Sequence, residues 1–262
     1  MVSYPEIDPI AIQLGPLAIH WYGLTYIAGL AFAWWLARRR AALPHTPLKP
    51  DQVDDLIFYA AVGIVLGGRV GYSFFYGLDR LASDPLWLFR VWEGGMAFHG
   101  GLLGVLIAMA VFARQRGIDW GRLMDFVAPL TPVGLALGRL GNFIGQELWG
   151  RASEVPWAMV FPRDPLGLAR HPSQLYQFAL EGCILFLVLL WYSRQQRPTW
   201  AVSALFLLGY GTLRFIAEFF REPDAHIGFD ALGWMTRGQV LCIPMLLAGA
   251  WLHYRAYRSV ER

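Results

Sequence analysis

The sequence predicts an all-α fold, a polytopic membrane bundle of about seven transmembrane helices. Of its 262 residues, 56% are hydrophobic and 16% are charged, and the mean hydropathy is +0.40. A soluble domain carries about 25% charged residues. The apolar residues are gathered in stretches of about 20, which is the length that crosses a hydrocarbon core of ~30 Å. These stretches lack the alternating pattern of β-barrel strands, so helices are expected to satisfy their backbone groups in lipid.

We expect one integral membrane domain over 1–262, with an extracytoplasmic loop region at 144–171. Each predicted span is an apolar stretch bounded by polar or basic residues. The predicted spans are 17–37, 54–76, 95–113, 123–143, 172–192, 200–219 and 238–254. An odd number of spans places the two termini on opposite sides of the membrane.

The distribution of Lys and Arg predicts the orientation of the spans. Twelve of the 22 basic residues lie in the alternate segments 38–53, 114–122, 193–199 and 255–262. Seven lie in the other segments between spans, which are longer in total, and three lie within spans. Because basic loops tend to stay in the cytoplasm, the N-terminus is expected outside and the C-terminus in the cytoplasm.

Several polar side chains fall at one depth of the predicted bundle. A charge inside a membrane costs ~3 kcal/mol or more unless it faces a cavity or a partner, so each is a functional hypothesis. Odd spans run inwards and even spans outwards, so the start of an odd span and the end of an even span share the outer level. The residues at that level are Tyr22, Arg69, His99, Arg139, Asn142, Tyr210, Arg214, Glu218 and the segment 171–176. They predict one polar chamber facing the outer leaflet.

Some of these residues have alternative interpretations. Arg69 could extend its guanidinium group to the outer head groups. Arg214 lies one helical turn from Tyr210 and from Glu218, a spacing that fits either a structural ion pair or a ligand site. His99 could be a packed histidine, although its flanking glycines leave room for a substrate to approach.

The densest polar segment is 138–151, where a glycine-rich helix is expected to end. It contains five polar residues that a helix terminus alone does not require: Arg139, Asn142, Gln146, Glu147 and Arg151. The planar guanidinium group of arginine fits phosphate oxygens. Arg139 and Arg214 together could hold one phosphodiester, so a phospholipid head group is the expected ligand.

The chain resembles the phosphatidylglycerol–prolipoprotein diacylglyceryl transferase family over nearly its whole length. The resemblance rests on Ile7-Asp8-Pro9, His20-Trp21-Tyr22-Gly23-Leu24, Gly68-Arg69-Val70-Gly71-Tyr72, Gly94-Gly95-Met96-Ala97-Phe98-His99-Gly100-Gly101, the segment 138–150, His171-Pro172-Ser173-Gln174-Leu175-Tyr176, Tyr210-Gly211, Arg214-Phe215, Glu218-Phe219 and Arg221-Glu222-Pro223-Asp224. One departure is Gly145, which stands where the family usually has an asparagine. An essential role for that amide is therefore not expected here.

The resemblance implies transfer of the diacylglyceryl group from phosphatidylglycerol to the lipobox cysteine thiol of a prolipoprotein, with release of glycerol 1-phosphate. It also implies a location in the bacterial inner membrane, with the active site towards the outer leaflet. The expected partners are phosphatidylglycerol, prolipoprotein signal peptides and the bilayer. Nucleic acid is not expected, because the basic residues lie at the ends of apolar segments and do not cluster with exposed aromatic residues. Metal ions are not expected, since the His, Asp and Glu residues show no metal-ligand spacing. No cofactor is expected.

The expected site has two chemical parts. The catalytic candidates are His99, Arg139, Arg214, Glu147 and Tyr22, and the candidates for binding phosphatidylglycerol are Arg139, Asn142, Arg214, Tyr210, Gly150 and Arg69. The paired arginines would stabilise negative charge on the departing phosphate. An imidazole titrates near neutral pH, so His99 is favoured as the acceptor of the thiol proton, with Glu147 and Tyr22 as rivals.

A second class of function is a non-catalytic transporter or flippase for an anionic lipid, in which the same arginines would bind and release the lipid. Transporters usually contain internal repeats and helices broken near the midplane, and the sequence shows neither clearly. A third alternative, a structural scaffold, leaves the arginines within the spans unexplained.

Topology reporters test the expected orientation. Cytoplasmic signals are expected for fusions at Arg40, Arg116, Gln196 and Arg258, and external signals for fusions near Asp84, Asp164 and Ala225. The reason is the excess of arginine in the first set of loops. An external signal at Gln196 would contradict both the orientation and the shared chamber.

Overall fold

The computed structural model describes residues 2–5, 7–15, 17–223 and 228–258. Three residues named above, Asp224, Ala225 and Arg262, lie outside these ranges. The chain forms two compact units. The first unit contains the residues up to Leu36 and from Asp125 onward, and the second unit contains residues 37–124.

Helices dominate both units. The α-helices are α1 Trp21–Ala41, α2 Gln52–Tyr76, α3 Leu78–Ser83, α4 Phe98–Arg116, α5 Trp120–Val127, α6 Thr131–Ile144, α7 Ser173–Gln177, α8 Leu185–Tyr192, α9 Ala201–Ala217 and α10 Arg237–Arg258. The strands are β1 Val2–Ser3, β2 Ile10–Leu14, β3 Leu17–His20, β4 Met159–Val160, β5 Ala169–Arg170, β6 Phe229–Ala231 and β7 Met235–Thr236.

Membrane-spanning character is clear for four helical runs. Among the described residues, the runs long and apolar enough to cross a membrane are Gln52–Tyr76, Phe98–Arg116, Trp120–Ile144 and Ser173–Tyr192. The prediction of a mostly helical membrane protein is confirmed. Helices α1 and α10, with 21 and 22 residues, are also long enough to cross a membrane but are not among these four apolar runs. Helix α1 is rich in amphipathic Trp and Tyr, and α10 contains Pro244. Helix α9 is shorter, with 17 residues.

Two predicted spans are helical runs with a local change of winding. Between α5 and α6, one 3₁₀ turn, Ala128–Leu130, occurs where Pro129 and Pro132 remove backbone donors. Between α7 and α8, the segment Phe178–Ile184 is a π-helix. Such segments are rare and frequently lie at functional sites.

The expectation of purely helical structure is wrong outside the long helices, because short segments there pair as strands. In the first unit, β1 pairs with β4 in parallel and β4 pairs with β5 antiparallel. Beneath this sheet the buried rings of Tyr4, Phe143 and Phe161 form a small core. The Tyr4 hydroxyl donates to the Phe143 carbonyl at 2.9 Å, so the N-terminal segment is fixed to the end of α6.

Asp125 fixes the start of α9. The sequence places this residue at the cytoplasmic start of a span, where a structural role at its own helix is expected. Its carboxylate instead accepts hydrogen bonds from the backbone N–H of Trp200 at 2.6 Å and of Ser203 at 2.7 Å. It therefore compensates the positive N-terminal end of a different helix.

The second unit depends on close contact between α2 and α4. Glycines on both helices permit this contact. A Cβ added to Gly104 would overlap the Gly63 carbonyl oxygen and lie 2.8 Å from the Cα atom of Gly67. The close packing expected from the glycine spacing is therefore present between these helices.

The pair Gly104→Ala and Gly134→Ala tests this packing with the same chemical change. At Gly134, also within a helix, an added Cβ would meet no atom within 4 Å. We expect Gly104→Ala to destabilise the protein by about 1–3 kcal/mol through overpacking, whereas Gly134→Ala should be neutral or stabilising. Thermal unfolding of the purified proteins in detergent measures the difference. Equal unfolding temperatures would contradict the role of the α2–α4 contact.

Candidate active site

Five charged side chains form a buried chain of ion pairs in the first unit. Arg139 and Arg214 flank Glu181, with N–O distances of 3.6 and 3.4 Å. Arg214 and Arg221 flank Glu218, and the Arg221 Nη1–Glu218 Oε1 distance is 3.2 Å. We call these five residues the charge chain. Both glutamates are 0% exposed.

The charge chain contains three guanidinium groups and two carboxylates. The side chains of Arg139 and Arg214 keep 17% and 12% exposure, so a ligand can reach them. Because a guanidinium group is planar and carries several donors, these two groups are suited to bind an anion.

Small residues allow the charged groups to meet. A Cβ added to Gly182 would lie 2.9 Å from the Cα atom of Ala136, so the π-helix approaches α6 closely one residue after Glu181. On α6, Arg139 follows Ala136 by one turn. The absence of a side chain at Gly238 leaves space for Glu218, whose carboxyl carbon would lie 2.6 Å from an added Cβ.

Tyr210 lies close to the charge chain, and Asn142 follows Arg139 by three residues on α6. Tyr210 interacts electrostatically with Arg139, Arg214 and Glu181. Asn142 is 8% exposed, and its backbone carbonyl accepts the N–H of Glu147 at 2.9 Å. Of the residues expected to bind lipid, the structure thus brings Arg139, Arg214 and Tyr210 together.

Glu147 lies on a strained turn. Its two neighbours, Gln146 and Leu148, both have φ of 55°, a conformation that is unfavourable for residues other than glycine and is often retained at functional sites. Hydrogen bonds fix this turn, since Gln174 Nε2 donates to the Glu147 carbonyl at 2.7 Å and Ser173 Oγ donates to the Leu148 carbonyl at 3.0 Å. The Glu147 side chain itself is exposed.

Tyr22 is placed beside the same segment. A Cβ added to Gly141 would lie 3.0 Å from a Tyr22 ring carbon, so the ring packs on the helix that carries Arg139. The Tyr22 hydroxyl lies 3.1 Å from that of Tyr26 and interacts electrostatically with Arg139 and Glu147. These contacts place Tyr22 close to Glu147, so two of the candidate proton acceptors are neighbours.

Gly150 lies where three backbone segments cross. Its N–H donates to the His171 carbonyl at 2.9 Å, and an added Cβ would lie 2.5 Å from the carbonyl oxygens of both His171 and Phe220. Burial lowers the pKa of His171, and its Nδ1 lies 3.0 Å from the Tyr176 hydroxyl. The contacts of Gly150 are thus with backbone, and its predicted role in lipid binding stays a prediction.

In the segment 144–171, Arg170 and Asp164 form a buried ion pair. The distance from Arg170 Nε to Asp164 Oδ2 is 2.6 Å. This hydrogen bond lowers the pKa of the Asp164 carboxyl. The pair joins β5 to the preceding loop and so supports the segment that leads into α7.

In the second unit, Arg69 binds backbone carbonyls. It donates to the carbonyls of Trp87 at 2.5 Å, Leu88 at 3.0 Å and Gly94, and its guanidinium group lies 4.4 Å above the Trp87 ring. Its exposure is 1%, so the alternative in which it reaches the head groups is wrong. Arg69 instead holds the segment before α4, and lipid binding by this residue stays a prediction.

His99 also belongs to the second unit. It is exposed in the first turn of α4, which follows two glycines with positive φ, Gly94 at 79° and Gly95 at 80°. These glycines and the extended Ala97 delay the helix start to Phe98. The start of the predicted span at residue 95 is therefore too early.

Glu181 is the residue that the sequence analysis missed. It is the only acidic residue within the run Ser173–Tyr192, and a charge in an apolar stretch is itself a signal of function. Gln177, 0% exposed on the same run, is a second residue that the sequence analysis missed. Gln174, also 0% exposed, lies in the segment 171–176 that was assigned to the polar chamber.

The fold and the charge chain define a class: a mostly helical membrane protein with buried arginines and glutamates paired inside its helices. Residues 9–255 match the family model described as prolipoprotein diacylglyceryl transferase. Relatives named phosphatidylglycerol–prolipoprotein diacylglyceryl transferase include one from Teredinibacter turnerae, 57% identical over 98% of this chain and 93% of that protein. Another, from Azotobacter vinelandii, is 56% identical over 100% of this chain and 99% of that protein. The chain belongs to the prolipoprotein diacylglyceryl transferase family, which confirms the resemblance.

Proposed function

We propose that the chain transfers the diacylglyceryl group of phosphatidylglycerol to the lipobox cysteine thiol of prolipoproteins. The products are a thioether-linked lipid and glycerol 1-phosphate. Membership of the family supports this reaction over lipid transport. The observation that carries the site assignment is the pair of partly exposed guanidinium groups of Arg139 and Arg214 on either side of Glu181, to which a phosphodiester anion would bind.

The reaction builds negative charge on phosphate. The cysteine sulfur forms a bond to the terminal glycerol carbon of the diacylglyceryl group, and the bond from that carbon to the phosphate oxygen breaks. The electron pair leaves with the oxygen, so the monoester product carries more negative charge than the diester. In this proposal Arg139 and Arg214 stabilise that charge, because oriented donors act most strongly where charge develops.

The attacking thiol must lose its proton, since an ordinary cysteine has a pKa of about 8.5. We assign His99 as the acceptor, because it is exposed at the start of α4 and an imidazole accepts protons near neutral pH. Glu147 and Tyr22 are the rival acceptors. Both lie in the first unit, where Tyr22 interacts electrostatically with Glu147 and with Arg139.

We further propose seven spans, with the N-terminus outside, the C-terminus in the cytoplasm and the active site towards the outer leaflet of the bacterial inner membrane. The four apolar runs, the shorter α9 and the lengths of α1 and α10 support this number. The arginines in the last turns of α1, α4 and α10 support cytoplasmic ends for these helices.

Replacing arginine by lysine tests the site. Arg139→Lys and Arg214→Lys keep the charge but lose the planar donor group, so we expect a rate loss on the order of 10²-fold or more for each. Arg69→Lys should lose less if Arg69 acts only through the segment before α4. The measurement is the mass increase of a lipobox peptide incubated with phosphatidylglycerol and the purified protein.

Arg122→Lys, at an exposed position on α5, is the matched control and should keep the wild-type rate. Near-normal turnover by both Arg139→Lys and Arg214→Lys, at normal expression, would remove these residues from the mechanism. Absence of peptide modification by the wild-type protein would contradict the proposed reaction itself.

The pH dependence of His99→Asn tests the base. We expect this variant to lose most activity at pH 7 while it still binds phosphatidylglycerol. Part of the rate should return as the pH rises towards the thiol pKa, because the substrate then ionises without a base. A small loss with an unchanged pH–rate profile would make His99 a positioning residue. Glu147→Gln, measured in parallel, would then identify the next candidate.

A further inference from the structure

One face of the helical run from α7 to α8 is polar within an otherwise apolar helix. Gln174, Gln177 and Glu181 are spaced by three and four residues, so they share this face. All three side chains are 0% exposed. The run packs against α6 and α9, the helices that carry Arg139 and Arg214. The polar face is therefore continuous with the charge chain through Glu181.

Several polar atoms on this face have no hydrogen-bond partner among the described residues. They are Gln174 Oε1, Gln177 Oε1, Gln177 Nε2 and Glu181 Oε2. Buried amide groups in native proteins are nearly always hydrogen-bonded, because an unsatisfied group loses its bonds to water without replacement. Two neighbouring glutamines with unsatisfied atoms therefore need a polar group from outside the described residues, either an ordered water or a ligand, to complete their bonds.

A third buried glutamine in the same unit has hydrogen-bond partners for both of its amide atoms. Gln239 is also 0% exposed, but its Oε1 accepts the Thr236 N–H at 3.0 Å and its Nε2 donates to the Phe215 carbonyl at 3.4 Å. A glutamine with a structural role in this fold is thus satisfied by protein groups. Gln177 has no such bond.

We propose that Gln177 and Gln174 form a subsite for the neutral diol of the phosphatidylglycerol head group. This subsite rests on the proposed function, since it lies one helical turn from Glu181, which holds both phosphate-binding arginines. The two hydroxyls of the diol can donate to Gln174 Oε1 and Gln177 Oε1, and one can accept from Gln177 Nε2. These bonds satisfy every unpartnered amide atom on the face.

Charge also favours a neutral head group here. An ammonium head group would bring a cation towards the guanidinium groups of Arg139 and Arg214. A diol adds no charge, so the phosphate keeps its attraction to Arg139 and Arg214. The subsite thus selects the lipid by the part that leaves with the phosphate, whereas the transferred diacylglyceryl group is the same in many lipids.

The test compares two donor lipids with the full-length protein and a lipobox peptide. One lipid is phosphatidylglycerol, and the other is phosphatidylpropanol with the same acyl chains, which keeps the phosphodiester but has no hydroxyl. The same carbon–oxygen bond breaks in both, and propyl phosphate leaves from the second. We expect the wild-type protein to favour phosphatidylglycerol in kcat/KM by about tenfold or more.

Gln177→Met keeps the volume and removes the hydrogen bonds. It should lower kcat/KM for phosphatidylglycerol and bring the preference between the two lipids close to one. The control Gln239→Met, which removes structural bonds, should lower stability and keep the wild-type preference.

Equal use of both lipids by the wild-type protein would overturn the subsite, and this measurement needs no variant to fold. An equal loss on both lipids by Gln177→Met would also overturn it, because a structural role has that effect. Failure of the wild-type protein to modify the peptide with either lipid would instead overturn the proposed function.

Discussion

A charged group buried in a membrane protein needs a partner of opposite charge, and the first unit is organised by this requirement. Glu181 and Glu218 are fully buried, and each contacts two arginines. Loss of either carboxylate would leave guanidinium groups uncompensated, which costs far more than the loss of one surface pair. The π-helix, α6, α9 and the segment after α9 therefore stabilise one another through their charges.

The charges can meet only because uncharged small residues bring the helices together. Gly182 against Ala136 sets the distance between the π-helix and α6, and Gly238 provides the space that Glu218 occupies. In the second unit, Gly63, Gly67 and Gly104 have the corresponding role between α2 and α4. The charged groups are thus positioned by glycine and alanine, which have no polar side chain. Substitutions at these glycines should therefore disturb charged groups several residues away.

The sequence predicted what depends on local composition. Long apolar runs indicated the membrane helices, and charges inside such runs pointed to Arg139 and Arg214. The same rule applies to Glu181, which was overlooked because its neighbours are apolar and no polar motif surrounds it. Sequence analysis names Arg139, Arg214, Glu218 and Arg221, so Glu181 is the one member of the charge chain that it lacks.

Contacts with backbone groups that are distant in the sequence could not be predicted from local composition. The partners of Arg69 are carbonyl groups, which every residue carries, so the sequence gives no sign of them. Asp125 caps a helix that begins about 75 residues later in the chain. Strands of two residues, such as β1 and β4, are too short to show a periodic pattern.

The two arginines of the proposed site have different surroundings, which suits them to different roles. Arg214 is bound by both glutamates, so its orientation is set before any ligand arrives. Arg139 makes no hydrogen bond within the described residues, and its nearest carboxylate oxygen is 3.6 Å away. In the proposed reaction, a phosphodiester would take the donors of Arg139 without breaking a hydrogen bond, while Arg214 would supply a fixed positive charge. The negative charge that develops when the carbon–oxygen bond breaks would strengthen this attraction, so the two contacts would favour the transition state over the bound substrate.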